Sequence, residues 1–193
     1  MKPNKSKLAI LGLVAHEPAS GYDIKKLVEQ MLSHFWNESY GQIYPILKQL
    51  AAEGLAVRKT QRQKGKPDRQ LYSVTPKGVD ELREWLVEPV QFQATRNETL
   101  LKIFFGYQAP AEESIKHVEH YRDHHLQQLE LYTDLERMLK NEEGDGADLS
   151  FWMMTLSHGK YTSRAMIRWA DEALEQLEKL AAKKERKARK KRG

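Results

Sequence analysis

Hydrogen-bonding side chains are concentrated between residues 39 and 49, and none of them is acidic. A glutamine amide can pair with the edge of an adenine in the major groove of a duplex, while serine, tyrosine and lysine can bind bases or phosphates. The segment therefore has the chemistry of a nucleic-acid-binding surface. Its candidate residues are Ser39, Tyr40, Gln42, Tyr44 and Lys48. Two alternatives stay open: the tyrosines could pack partly into a core, and Gln42 could complete a helix capping box with Ser39.

A group of cationic side chains follows between residues 61 and 69, around Gly65 and Pro67. Glycine and proline favour a turn, and the alternation of apolar and polar residues on either side, at Leu55–Thr60 and Gln70–Thr75, predicts two β-strands. We therefore predict a β-hairpin whose basic tip could reach phosphates or the minor groove. The basic residues are Arg62, Lys64, Lys66 and Arg69.

A third set of side chains could bind a small aromatic ligand, by ring stacking or by pairing with a carboxylate. The set consists of Trp36, Trp85, Arg96 and Trp152. The alternative for the tryptophans is ordinary core packing, because large aromatic side chains are mostly buried.

Three histidines, His117, His120 and His124, share one face of a predicted helix with Glu113. Histidines and a carboxylate at helical spacing can hold zinc. The alternative is an exposed or pH-sensitive helix face. Because the sequence offers no second strong set of ligands, we predict no metal site and no cofactor.

The sequence lacks the patterns of the common classes of enzyme. It contains no cysteine, which removes disulfides and thiol chemistry, and it has neither a phosphate-binding glycine loop nor a Gly-x-Ser-x-Gly motif. We therefore predict that the protein is not an enzyme. The longest apolar stretch, Leu8–Ala15, is too short to span a bilayer and is followed by no cleavage site for a signal peptide, so we expect a cytoplasmic location.

Charge is distributed unevenly along the 193 residues, whose formal net charge is +5. Residues 1–90 carry 14 Lys/Arg against 10 Asp/Glu, and residues 91–180 carry 10 against 16. Residues 181–193 carry eight Lys/Arg and one Glu. A basic first part beside an acidic middle suggests that one region contacts a polyanion and another contacts protein.

Helical periodicity precedes the predicted hairpin three times and follows it once. The first helix covers Ser6–Glu17, and Ser20 can cap a second that begins near Gly21 and buries a stripe as far as Met31. A third helix covers residues 39–54 and contains Pro45, which is expected to bend its start. The inward residues of the third helix are Ile43, Leu47 and Leu50, and a fourth helix begins at Pro76. Three helices followed by a hairpin are the order of a winged helix-turn-helix, in which the third helix enters the major groove.

The remaining residues predict a helical domain. After a linker at 89–95, helical patterns cover 98–107, 110–140 and 149–180, with an acidic loop at 141–148. Helices of about 30 residues with several large apolar side chains need a partner helix, and the alternative to a second copy of the chain is packing within one chain. We therefore predict a mainly α protein with a winged-helix DNA-binding domain at 1–90, a helical dimerisation and effector domain at 91–180, and a disordered basic tail at 181–193.

Several short motifs, taken together, resemble a known family. They are Leu8–Leu13 with Ser20–Ile24, Gly41–Leu50 with Glu53–Leu55, Tyr72–Gly78, and Asn97–Phe105. They resemble the PadR family of bacterial regulators, in the branch that has a helical C-terminal domain. The resemblance implies a homodimer clasped by its C-terminal helices, bound to a pseudo-palindromic operator on double-stranded DNA. It also implies repression that is relieved by a small aromatic compound such as a phenolic acid or a drug.

A second class of function remains open, an effector-independent nucleic-acid-binding or architectural winged-helix protein. Binding that depends on salt but not on sequence would favour this class. A large ratio of specific to nonspecific affinity would favour the regulator.

Overall fold

A computed structural model describes the chain at residues 4–32, 35–36, 40–62, 65, 68–91, 96–141 and 147–192, without the side chains of residues 31, 40, 147 and 185–192. Contacts divide the chain into two compact units, Met1–Phe92 and Gln93–Gly193. Among the described helices, none has the combination of length and apolarity needed to cross a bilayer. The fold is mainly helical with one two-stranded antiparallel sheet, as predicted.

Four helices build the N-terminal unit: α1 (Lys5–His16), α2 (Gly21–Leu27), α3 (Tyr40–Ala52) and α4 (Pro76–Leu86). Their starts follow from capping side chains that accept otherwise unpaired backbone N–H groups. The Asn4 side chain caps α1 and that of Thr75 caps α4. Ser20 caps α2 as predicted, in a reciprocal capping box with Asp23.

The apolar stripe predicts one regular helix as far as Met31, but the structure differs there. After Leu27 the chain makes a π-helical turn over Val28–Leu32. Ile24 and Val28 remain fully buried across this change. A wider turn rotates the following residues about the helix axis, so the simple i, i+3, i+4 pattern cannot locate it.

The core of the N-terminal unit draws on every one of its elements. The inward residues of α3 predicted from sequence, Ile43, Leu47 and Leu50, are buried, and Ile46 joins them. From the other elements the buried hydrophobic residues include Leu8, Ile10, Leu11, Val14, Ile24, Val28, Leu55 and Tyr72. On α4, Leu82 and Trp85 pack against this core, whereas Leu86 is 65% exposed.

The hairpin consists of β1 (Ala56–Gln61) and β2 (Arg69–Val74), paired antiparallel from Ala56 opposite Val74 to Gln61 opposite Arg69. Gly54 separates α3 from β1 with a φ of +71°, a left-handed conformation that glycine adopts without steric cost and that ends a helix. An isolated bridge also joins Ala19 to Tyr72 through two backbone hydrogen bonds, of 3.0 and 2.9 Å.

The described part of the C-terminal unit contains a short α-helix and two long ones: α5 (Glu98–Phe104), α6 (Ala111–Asn141) and α7 (Ala147–Arg192). A 3-10 turn at Gly106–Gln108 connects α5 to α6. Helices α6 and α7 pack against each other as an antiparallel hairpin. Their buried contact includes Val118 on α6 with Ala170 and Leu174 on α7. Farther along, the Tyr132 ring lies against Gly159, where an added Cβ would come within 2.7 Å of it.

Helix α7 is longer than the sequence pattern predicted. It begins at Ala147 rather than near 149, and its backbone stays helical through Arg192, where we expected disorder. Extending an existing helix needs no new nucleation, and alanine, lysine, arginine and glutamate are strong helix formers. Cations near a helix C-terminus also interact favourably with its dipole. The predicted acidic loop falls mostly on residues 142–146, outside the described part of the chain.

Candidate nucleic-acid interface

Helix α3 has two chemically distinct faces. Its apolar residues recur at helical spacing and are buried. The opposite face exposes Gln42, Tyr44, Lys48 and Gln49, with no acidic residue among them. Pro45 lies on this exposed side within the second turn. Because proline has no backbone N–H, the hydrogen bond to the carbonyl of Gly41 is not made. Gly41 is exposed, so water can bind that carbonyl instead.

Tyr44 both packs and remains accessible. Its ring lies so close to Gly21 that an added Cβ there would come within 2.5 Å of a ring carbon. The residue is nevertheless 57% exposed. Tyr44 therefore fixes α3 against the start of α2 with one side of its ring and leaves the other side open, so partial packing and an exposed surface coexist.

Arg69 is held within the domain. Its guanidinium forms an ion pair with the Asp23 carboxylate, and its Nε donates to Ser20 Oγ at 3.2 Å. Burial disfavours the charged form of Asp23, but hydrogen bonds from the Ser20 backbone and hydroxyl, together with Arg69, outweigh it and lower the pKa of Asp23. The predicted phosphate ligand Arg69 thus anchors the end of β2 nearest the hairpin tip to the cap of α2.

The end of α3 is anchored by a second polar network. Lys7 on α1 forms ion pairs with Glu53 at 2.9 Å and with Glu81 on α4 at 2.7 Å. Although burial opposes its charge, these two carboxylates raise the pKa of Lys7. Gln49 donates to Glu53 at 2.7 Å, so its amide is engaged within the domain.

Some predicted contact residues lie outside the described part of the chain. These are Ser39, Lys64 and Lys66, together with the side chain of Tyr40. Arg62 is described and exposed at the end of β1. The exposed cations that were not singled out from the sequence include Lys25, Lys26, Arg58 and Lys59. Because side chains alternate along a strand, Arg58 and Lys59 lie on opposite faces of β1. Both are exposed, since after Ala56 neither face of β1 is buried.

The four residues predicted to bind an aromatic ligand belong to different units. Trp36 and Trp85 are half-buried in the N-terminal unit, while half-buried Trp152 and exposed Arg96 are in the C-terminal unit. Neither unit by itself brings the four together. Beside Trp85 lies a small cleft of about 150 Å³, whose charged lining residues are Glu81, Glu84, Glu88 and Lys7. The three glutamates outnumber the single lysine and would repel a carboxylate ligand.

The C-terminal unit has a larger cleft, of about 300 Å³, that the sequence did not reveal. It lies along α6 and α7 and is lined by Glu136, Met153, Leu156, Ser157, Lys160, Tyr161 and Arg164. Ion pairs and hydrogen bonds from Lys160 and Lys140 hold the pKa of Glu136 at about 2. The cleft therefore combines a fixed carboxylate with cationic and aromatic groups.

The histidines of α6 do not form a described ligand set. His120 and His124 are exposed and His117 is half-buried, and within the described side chains no group of three or more histidines or carboxylates could hold a metal ion. The neighbouring His125 instead packs at 4.5 Å between ring centres against Tyr121, which in turn lies 5.5 Å from Trp169. Burial, and then the nearby His124, lower the pKa of His125.

Two family models match the chain in succession. The first, described as the transcriptional regulator PadR-like family, matches residues 10–84. The second, described as the virulence activator alpha C-terminal domain, matches residues 95–178. The negative transcriptional regulator PadR of Bacillus subtilis is 38% identical over 101 residues, which are 51% of this chain. That alignment spans 55% of the Bacillus protein, so it covers just over half of the relative's length.

Solved structures resemble the whole fold. The crystal structure of Bacillus subtilis PadR in complex with operator DNA superposes with a TM-score of 0.79 at 25% identity, over 90% of this chain and 99% of that one. The crystal structure of the same protein in complex with p-coumaric acid gives a TM-score of 0.72 at 24% identity, over 89% and 98%. The resemblance inferred from the sequence motifs is confirmed: residues 10–84 form a domain of the PadR-like family of transcriptional regulators, and the fold matches that of Bacillus subtilis PadR.

Proposed function

We propose that this protein is a cytoplasmic, non-enzymatic regulator that binds operator DNA through α3 and the hairpin. One observation carries the proposal: α3 exposes Gln42, Tyr44 and Lys48 on a surface without acidic residues, while its opposite side is buried in the domain. A helix of this kind fits the major groove of B-DNA, which is about 12 Å wide. The similarity to Bacillus subtilis PadR, which has been crystallised in complex with operator DNA, supports operator DNA as the partner.

Each candidate side chain has a role that its chemistry suggests. Gln42 reads a base edge, and Tyr44 and Lys48 bind bases or phosphates beside it. Ser39 and Tyr40, at the start of α3, contribute in the same way. The hairpin cations contact flanking phosphates without reading sequence; they are Arg62, Lys64 and Lys66, joined by exposed Arg58 and Lys59. Arg69 contributes indirectly to DNA binding, by holding the hairpin against α2 through its ion pair with Asp23.

The proposed active form is a homodimer joined through the C-terminal unit. That unit leaves large apolar side chains exposed, which is unfavourable unless another surface covers them. They include Leu100, Leu101, Phe104, Phe105, Tyr107, Phe151, Met154 and Tyr161. A two-fold dimer would present two copies of α3 to successive major-groove faces about 34–36 Å apart, which matches a pseudo-palindromic operator.

The proposed control is repression relieved by a small aromatic compound, such as a phenolic acid or a drug. The support is similarity to Bacillus subtilis PadR, which has been crystallised with p-coumaric acid. Trp36, Trp85, Arg96 and Trp152 are the proposed contacts, of which Trp85, beside an acidic cleft, suits a cationic drug better than a phenolic acid. The compound would act by binding more tightly to a dimer in which the two copies of α3 are misplaced for DNA.

The alternative function is effector-independent, architectural DNA binding. The observation that favours it is the strongly basic end of α7, because eight Lys/Arg in residues 181–193 suit sequence-independent contact with phosphates. Both functions use duplex DNA, and they differ in specificity and in response to ligand.

One experiment tests the proposal and separates the two functions. Affinity is measured for duplex DNA from upstream of the protein's own gene and for a scrambled duplex, across a range of salt, with and without phenolic acids and cationic drugs. A regulator should prefer the upstream duplex by about 10³-fold or more and should lose that preference with one of the compounds. Equal affinity for both duplexes would contradict the regulator and favour the architectural protein.

Replacing Gln42 with Ala sharpens the test at one residue. The variant should lose affinity for the upstream duplex by about 1–3 kcal/mol while its affinity for the scrambled duplex stays unchanged. Replacing Lys48 with Ala is the matched comparison, because removing a cation that binds phosphate should weaken binding to both duplexes alike. Equal losses on both duplexes for Gln42→Ala would remove base reading from α3.

A further inference from the structure

Helix α7 continues past the end of its partner helix. In the antiparallel hairpin, Lys160 pairs with Glu136, and farther along Asp171 pairs with Arg122. Extending the pairing given by these two ion pairs to the first residue of α6 puts Ala111 opposite the region around Leu180. The backbone of residues 181–192 is still helical beyond that point, and at 1.5 Å per residue this part is about 18 Å long.

This overhanging part of α7, residues 181–192, is almost purely cationic. It contains eight Lys/Arg and one Glu, in contrast to the acidic excess of residues 91–180. Lys183 and Lys184, the described lysines at its start, are exposed. Like charges four residues apart repel one another, and the helix dipole offsets this repulsion only in part. A bound polyanion would relieve the repulsion and release condensed counterions.

We propose that residues 181–192 of α7 form a second DNA-binding element, which contacts duplex phosphates without reading sequence. The inference rests on the proposed function, because the winged-helix unit on the same chain is the element proposed to hold the duplex. Covalent linkage makes the second contact intramolecular, so even a weak contact adds to the overall affinity. Among duplex features, evenly spaced phosphates suit such a row of cations, because eight of the twelve residues are Lys or Arg and only Glu185 is acidic.

The composition of the segment favours DNA over a membrane surface. A helix that lies in the membrane interface needs an apolar face of large residues such as leucine, phenylalanine or tryptophan. The apolar residues of 181–192 are three alanines, Ala181, Ala182 and Ala188. Charge complementarity to phosphates is therefore the chemistry that this segment offers.

The test compares two triple variants that remove the same charge. The first, K187Q/K190Q/K191Q, neutralises the overhang. The control, R137Q/R168Q/K179Q, neutralises exposed cations elsewhere on α6 and α7, each paired with a nearby carboxylate at 2.8, 3.0 or 3.7 Å. Glutamine has a helix propensity close to that of lysine and arginine, and circular dichroism checks that the helical content is preserved.

Affinity for the upstream duplex and for a scrambled duplex of the same length is measured from about 50 to 300 mM salt. The range brackets 0.1 M, at which the Debye screening length is about 10 Å. The overhang variant should bind both duplexes several-fold more weakly at low salt. The slope of log affinity against log salt should become shallower by about 0.9 for each phosphate that the variant no longer neutralises. The control variant should retain the wild-type slope.

The outcomes separate this inference from the proposed function. Equal slopes for wild type and both variants would overturn the second DNA-binding element, and so would weaker binding to anionic lipid vesicles or to polyglutamate with DNA binding unchanged. If the wild type does not prefer its upstream duplex, the regulator proposal fails. The second DNA-binding element is then still tested by the difference in salt slope between the wild type and the overhang variant on the scrambled duplex.

Discussion

The two units of this protein bury their apolar side chains to very different degrees. In the N-terminal unit, α1, α2, α3 and both strands contribute to one buried core. In the C-terminal unit the described buried cluster is small, with Val118, Ala170 and Leu174 at its centre, while residues such as Phe104 and Tyr161 are more than two-thirds exposed. The comparison indicates that packing within the unit accounts for the first unit, whereas the second leaves apolar side chains that the proposed dimer would cover.

The largest expected effect tests the self-sufficient core. Leu47 on α3 is fully buried, so Leu47→Ala should lower the free energy of unfolding by about 2–5 kcal/mol. Denaturant unfolding followed by circular dichroism measures the loss. Its neighbour on the exposed face, Lys48→Ala, should change stability by no more than about 0.5 kcal/mol. A loss below about 1 kcal/mol for Leu47→Ala would mean that the core is not closely packed around α3.

The next effect tests whether a second copy covers the C-terminal unit. Phe104 is 73% exposed, so Phe104→Ser should leave the subunit folded. It should weaken a dimer by about tenfold or more, equivalent to about 1.4 kcal/mol. Sedimentation equilibrium measures the dissociation constant. Val87, which is 83% exposed in the N-terminal unit, provides the control Val87→Ser. An unchanged dissociation constant for Phe104→Ser would place the interface elsewhere.

A smaller effect tests the contact between α2 and α3. Gly21→Ala brings a methyl group within 2.5 Å of the Tyr44 ring, and we expect a loss of about 1–3 kcal/mol of stability from the overpacking. The ring should also shift, with a decrease in DNA affinity. In a Tyr44→Ala background the same glycine substitution should cost nothing, since the ring is gone. Equal losses in the two backgrounds would show that the ring does not limit the space at Gly21.

The smallest effects are those of pH on two carboxylates, one in each unit. Asp23 and Glu136 both have a pKa below the ordinary value, that of Glu136 at about 2. A lowered folded-state pKa contributes stability that is present above the unfolded pKa, near about 4, and is lost as pH falls through the folded value. Asp23→Asn and Glu136→Gln should therefore each flatten the acid limb of the stability curve. Carboxyl NMR titration gives the two pKa values directly, and ordinary values would contradict the ion pairs.

Local signals in the sequence were sufficient for much of the N-terminal unit. Ser20 as a cap and the inward residues of α3 each depend on neighbours within a turn or two, and each prediction is confirmed. The capture of Arg69 by Asp23 joins residues 46 apart in the chain, and no local pattern encodes such a pairing. The helical end of α7 was missed for another reason: charge composition alone suggested disorder, whereas propensity and the preceding packed helix favour continuation.

The bridge between Ala19 and Tyr72 has a mechanical consequence for the hairpin. Its two backbone hydrogen bonds add a third, one-residue rung beside β2, directly ahead of the α2 cap. A force on the hairpin is thereby transmitted to α2 and, through the Tyr44 ring, to α3. We therefore expect the winged-helix unit to tilt or translate as one rigid body. In a dimer, a ligand would then change the spacing between the two winged-helix units rather than the shape of either.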